Sequence, residues 1–122
     1  MVQVGSIVNI VDNSGVRVIR CIKVLGTNPR SYGRVGNIIV GAVQVALPRR
    51  KIKVHDVCKC VIIRQKKVVQ RKSGVYVSFD KTGAVVIDAR RQPVATRIKG
   101  SSMHELRKRR HMKIISLSNS LV

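Results

Sequence analysis

The chain has 122 residues, 25 of them Lys or Arg against 5 Asp or Glu, a formal net charge of +20 at pH 7. Such an excess repels itself and calls for a polyanion, phosphate backbones above all, because each neutralised phosphate releases a condensed counterion. With no Trp, two Tyr and one Phe, the chain lacks the flat faces that base stacking needs, and no apolar run reaches the ~20 residues of a membrane span.

The remaining apolar residues, within a hydrophobic fraction of 44%, are mostly Val and Ile. Branching at Cβ stiffens these side chains and fits them to a pleated sheet. The opening Met1-Val2-Gln3-Val4-Gly5 has neither a basic n-region nor an apolar h-region, so it reads as no targeting segment. Ile7 to Val11 predicts a first strand, stopped by the turn signal Asp12-Asn13-Ser14-Gly15. Arg17 to Leu25 predicts a second strand, and Gly26 to Gly36, with Asn28-Pro29 inside, a loop. Asn37 to Leu47 predicts a long strand with a bulge or bend at Gly41. Pro48 to Lys53 is a basic loop, and Val57 to Arg64, nearly all apolar apart from Lys59, predicts a strand buried on both sides or central in the sheet.

Lys66 to Ser73 reads as one arm of a basic hairpin ending at Gly74, Val75 to Phe79 as an alternating strand, and Ala84 to Asp88 as its return after a turn. The lone Phe79 is expected to plug the core. Helix is expected only late. Ser102 and Glu105 have the spacing of a capping box opening a helix over 101–109, and Lys113 to Leu117 reads as a short helical turn. Evenly spaced short strands without helical crossovers predict a mainly β chain, a small closed or partly open barrel rather than a parallel α/β fold. No linker or repeat divides it, so 1–122 reads as one domain, with 101–122 as its C-terminal helical segment.

The cationic residues cluster in Arg49-Arg50-Lys51, Lys66-Lys67, Arg71-Lys72, Arg90-Arg91 and Arg107 to Arg110. A solvated surface is the plain explanation of a charge run, but so few acids offset these clusters that nucleic-acid contact explains them better. Cys58-Lys59-Cys60, with His55 and Cys21 nearby in sequence, lacks the C-x₂₋₄-C knuckles of structural zinc. Its thiols read as small buried hydrophobes in a reducing compartment. Asp12-Asn13-Ser14-Gly15 resembles the Asp-Ser-Gly of aspartic proteases, but Asn13 interrupts it and paired carboxylates are scarce. A turn tied down by its own side chains is the better reading, and an Asp12→Asn change should alter only turn stability. No P-loop, GxGxxG or HExxH is present. No enzyme, metal or cofactor is expected. A free-standing single-strand binder of the OB or cold-shock type would need an aromatic stripe that Tyr32, Tyr76 and Phe79 do not supply.

Taken in order, Val11-Asp12-Asn13-Ser14-Gly15, Cys21-Ile22-Lys23-Val24-Leu25-Gly26, Gly36-Asn37-Ile38-Ile39, Pro48-Arg49, Asp56-Val57, Val61-Ile62-Ile63-Arg64 with Lys66-Lys67, Phe79-Asp80, Thr96-Arg97-Ile98, His104-Glu105-Leu106-Arg107 and Met112 to Leu117 resemble one family. It is the universal large-subunit ribosomal protein fourteen family, and the resemblance spans essentially the whole chain. It implies a five-stranded β-barrel with short C-terminal helices and a structural, non-catalytic role in translation. The implied partners are large-subunit rRNA, small-subunit rRNA across an intersubunit bridge, ribosomal proteins three and nineteen, and a ribosome-silencing factor.

By motif, the bridge and silencing-factor face maps to Thr96, Arg97 and Lys113. The RNA-facing set, drawn from the basic positions, is Arg17, Arg49, Arg50, Lys51, Arg64, Lys66, Lys67 and Arg71. The chain departs from the bacterial pattern at Asn37, His55, Ala95 and Lys99 to Ser102. Its tail Arg107 to His111 is more basic than the bacterial form and similar to mitochondrial members. The expected location is therefore a ribosome, in the mitochondrial matrix rather than the bacterial cytoplasm.

Overall fold

A computed structural model describes residues 2–26 and 32–122. Strands β1 (Ile7–Ile10), β2 (Val16–Val24), β3 (Ile38–Ala46) and β4 (Val57–Arg64) are joined by antiparallel ladders. A short hairpin, β5 (Val69–Gln70) with β6 (Tyr76–Val77), interrupts the chain before β7 (Gly83–Ile87) pairs antiparallel with β4. β1 closes on β7 in parallel, Asn9 opposite Gly83 and Ile10 opposite Ala84. The result is the expected closed five-stranded barrel, β1-β2-β3-β4-β7. Closure leaves no unpaired edge within the barrel.

The interior follows from strand periodicity. Val8 and Ile10 on β1, Ile19, Cys21 and Val24 on β2, Ile39 and Val43 on β3, and Cys60 and Ile62 on β4 are all buried. Val61 and Ile63 point the other way from β4 and are also 0% exposed, so the strand is buried on both faces over Cys60 to Ile63 but not at its start, where Val57 and Lys59 are exposed. The C-terminal region shares that core: Met103 donates its N–H to Ile63 O, and Met103, Leu106 and Ile114 are buried in the same cluster.

Gly41 marks an irregularity, but the extra residue sits on the opposing strand. Cys21 faces Gly41 and Lys23 faces Val40, so Ile22 is the bulged residue of β2. Gly41 is needed for another reason. A Cβ there would lie 2.7 Å from Ile19 Cδ1, inside a packed core that resists added volume.

Three expectations are corrected. The strand expected over Val75–Phe79 shrinks to two residues, because the hairpin offers only Val69 and Gln70 as ladder partners. Phe79 is half-buried at the core's edge, where the Arg64 guanidinium lies 5.8 Å from its ring centroid. The helix expected over 101–109 does not form. Ser101–Ser102 is instead a strand, β8, pairing in parallel with β9 (Ser120–Leu121). Ser102 Oγ, fully buried, bonds Ser118 Oγ at 2.7 Å rather than capping a helix. Only His104–Leu106 is helical, as a single 3₁₀ turn entered from an extended Met103 without a side-chain cap. Tertiary pairing outweighs a local capping signal here. The second helical expectation holds: α1 spans Met112–Leu117. The Asn28-Pro29 turn lies outside the described residues.

Candidate nucleic-acid interface

The strand directions sort the connections between two ends of the barrel. One end carries the β1–β2 turn, the β3–β4 loop and the exit from β7. The other carries the β2–β3 loop and the β4–β7 connection with its hairpin. The RNA-facing set therefore divides: Arg17, Arg49, Arg50 and Lys51 stand at the first end, and Arg64, Lys66, Lys67 and Arg71 belong to the second.

At the first end the positions are exposed and tightly framed. Leu47 N–H donates to Gly15 O at 2.8 Å, joining the β3–β4 loop to the β1–β2 turn. Arg50 packs over Gly15, where a Cβ would meet Arg50 Cγ at 2.6 Å, and Gly15 has φ +99°. Arg49 holds φ 63°, a left-handed conformation uncommon for a side chain of this size. The far side of the loop closes when Asp56 Oδ2 accepts the Lys53 N–H at 2.9 Å. Arg17, Arg49, Arg50 and Lys51 all face solvent, on backbone fixed from both sides.

At the second end the side chains are more committed. Arg64 is half-buried; its Nη1 donates to Ser101 O at 3.2 Å, and Gly83 and Gly100 leave room for it. Burial lowers its pKa, yet a guanidinium stays charged in proteins. Arg71 donates through Nε to Glu105 Oε1 at 3.1 Å and through Nη2 to Glu105 Oε2 at 3.3 Å, and Nη2 also reaches Val122 O at 2.6 Å. Lys66 and Lys67 are exposed. Among the described residues Arg71–Glu105 is the single ion pair, which leaves the other cations of both ends without an acidic partner.

Thr96 and Arg97 are held by a residue far away in sequence. Asn13 Oδ1 accepts the N–H groups of Thr96 and Arg97 at 3.0 and 3.1 Å, and Asn13 Nδ2 donates to Thr96 Oγ1 at 3.0 Å. Lys113 is exposed on α1, an element joined to the 96–102 segment where Asn119 N–H donates to Gly100 O. An Asn13→Ala change should loosen the Thr96–Arg97 segment and cost about 1–2 kcal/mol, the usual cost of losing side-chain-to-backbone bonds. Amide exchange at Thr96 and Arg97 should then accelerate with the barrel core unchanged; unchanged exchange at both would show that Asn13 does not position them.

Two features escaped sequence reasoning. The first is Asp12, 8% exposed. Its Oδ1 accepts from Ser14 N–H at 3.0 Å and Ser14 Oγ at 2.5 Å, and its Oδ2 accepts from Val86 N–H at 3.0 Å. It therefore ties the β1–β2 turn to β7 rather than merely closing its own turn. Burial raises its pKa above the ordinary carboxylate value, against these three donors, which lower it.

The second is a cavity of about 230 Å³ on which Lys59, Arg91, Arg109 and His111 converge. His111 is buried, and its Nε2 lies 3.0 Å from Gly36 O. A carbonyl only accepts, so Nε2 carries the proton, and burial lowers the ring's pKa. The tail cluster Arg107 to Arg110 hints at this site in the sequence. Lys59, a single cation inside an apolar strand, does not.

Comparison with protein families adds what geometry alone leaves open: the family Ribosomal protein L14p/L23e matches residues 1–122. The chain belongs to that family. Membership of the L14p/L23e family makes it a structural protein of the large ribosomal subunit, with a closed barrel from which its basic loops project.

Proposed function

We propose that this L14p/L23e member binds large-subunit rRNA by charge and shape, with its barrel acting as one domain that spaces two sets of basic side chains. Arg17, Arg49, Arg50 and Lys51 form the more accessible set; Lys66 and Lys67, with Arg64 and Arg71 more deeply anchored, form the other. The observation that carries the reading is the family match over the whole chain, supported by a surplus of cations that meets one ion pair among the described residues.

Thr96, Arg97 and Lys113 are assigned to the bridge with small-subunit rRNA and to the face where a silencing factor docks; ribosomal proteins three and nineteen are the expected neighbours. The basic tail Arg107 to Arg110 favours a mitochondrial ribosome over a bacterial one.

The A-form major groove is too narrow for side-chain readout, so recognition rests on shape and on contacts to phosphates and riboses. Affinity for a folded large-subunit rRNA fragment should fall steeply and linearly on a log–log plot as salt rises. Filter binding from low to physiological salt checks this. A flat response, or preference for an unstructured oligonucleotide of equal length, contradicts it.

A further inference from the structure

The C-x-C motif of β4 stands apart from the basic loops on which the ribosomal role rests. Cys58 and Cys60 lie on the same face of the strand, as residues two apart must, and their sulfurs are 3.8 Å apart. Their environments differ. Cys60 is 0% exposed, at the centre of the barrel core, whereas Cys58 is half-buried near the start of β4, at the end of the barrel that carries the β3–β4 loop. Across the ladder Cys58 faces Gly41, and Gly41 faces Cys21 on β2, so a residue without a side chain separates Cys58 from the third thiol. The chain thus pairs a reachable thiol with a shielded one in near contact.

We infer that Cys58 is a site of reversible thiol oxidation and that Cys60 is its resolving partner. Redox-sensing cysteines combine access with a nearby second thiol, and the half-buried Cys58, 3.8 Å from the Cys60 sulfur, has both. The contact with Cys60 draws the Cys58 thiol below its ordinary range, and the same contact together with burial pushes Cys60 up.

The oxidant class is a peroxide. The Cys58 thiolate attacks one peroxide oxygen, the O–O bond breaks, and with one proton taken up the products are a sulfenic acid and water or an alcohol. The Cys60 sulfur then attacks Cys58 sulfur. The S–O bond breaks, the hydroxide leaves with the Cys60 proton as water, and a disulfide closes between residues 58 and 60. Two thiols are oxidised by two electrons and one peroxide is reduced.

Strand geometry permits this closure but opposes it. Residues two apart in a strand stand about 6.6–6.8 Å apart at Cα, the upper edge of the roughly 4.4–6.8 Å that disulfides span. Closing the bond must draw the strand together at Lys59, which pairs with Val40 on one side and Ile87 on the other. A bond under such constraint is easily reduced, the property of regulatory rather than structural disulfides.

The test uses the full-length chain, reduced and then exposed to hydrogen peroxide, with thiol alkylation and tandem mass spectrometry. Wild type should lose the mass of two hydrogen atoms, with the bond mapped between Cys58 and Cys60 and reversed by a dithiol reductant. Cys60→Ser should stop at a sulfenic acid on Cys58, trapped by a dimedone probe. Cys58→Ser should leave Cys60 unoxidised, and Cys21→Ser should behave as wild type.

The order of alkylation in the folded wild-type chain needs no substitution, and Cys58 should react first. First reaction at Cys60 or Cys21, a bond involving Cys21, or Cys58 passing to sulfinic acid without a disulfide would overturn the assignment. None of these readouts depends on RNA binding, so the inference stands or falls separately from the proposed ribosomal contacts.

Discussion

Replacing Asp12 by Asn should destabilise the fold by about 2–4 kcal/mol, far more than a turn residue costs. Asn keeps one acceptor oxygen for Ser14 but presents an NH₂ to the Val86 N–H, which leaves a buried donor facing a donor. Lost charge-assisted bonds and an unsatisfied buried group each cost a few kcal/mol at most, and Asp12 supplies both, because its two oxygens accept three bonds from two elements. The expectation from sequence, a change confined to the turn, is too small because Val86 lies 74 residues away in the chain.

The pH dependence has a definite sign. Burial raises the native pKa of Asp12 above its ordinary 3.8, so the native state binds this proton more tightly than the unfolded chain does. The Asp12 contribution to stability is then fully present below 3.8 and falls as pH rises through the raised native value. Asn does not titrate, so the stability difference between wild type and Asp12→Asn should narrow from acid towards neutral pH. Urea unfolding of both proteins across that range measures it. A difference that widens with pH would mean that the three donors outweigh burial.

The second large effect falls on RNA. Replacing Arg49, Arg50 and Lys51 together by Ala should weaken binding to a folded large-subunit rRNA fragment about 10–100-fold at physiological salt and reduce the salt slope by about 2–3. Stability should change little, since the three side chains are exposed and free of ion pairs among the described residues. Arg64→Ala should behave in the opposite way. Its guanidinium lies over Phe79 and bonds Ser101 O, so its loss should lower stability more than the salt slope. Parallel titrations and melts separate the two roles. A triple variant with an unchanged salt slope would remove the β3–β4 loop from the interface.

The barrel was legible in the sequence because its signals are local. Ile7 to Val11 and β7 read as short apolar runs, and Asp12 to Gly15 ends the first strand with unmistakable turn chemistry. The partition of the basic residues was not legible. Arg71 and Arg49 look alike in sequence, yet one is clamped by Glu105 and the other projects from a left-handed turn. Which of two arginines meets an acid depends on contacts across 34 residues, and no spacing rule encodes that.

The capping box failed for a related reason. Ser102 and Glu105 have the right spacing, but Ser118 and Arg71 compete for them and win. From the sequence, Asn13 belongs to a turn tied down by its own side chains. Its function lies in the Thr96 and Arg97 amides it holds, which only the fold brings within reach.

The most direct test of the central claim is sedimentation of a tagged copy through a sucrose gradient at moderate salt, using ribosomes of the compartment of origin. Incorporation into the large subunit through many phosphate contacts predicts co-migration with large subunits and whole ribosomes, surviving a modest salt wash. A protein that stays at the top of the gradient would contradict the account and reduce the L14p/L23e likeness to a shared fold.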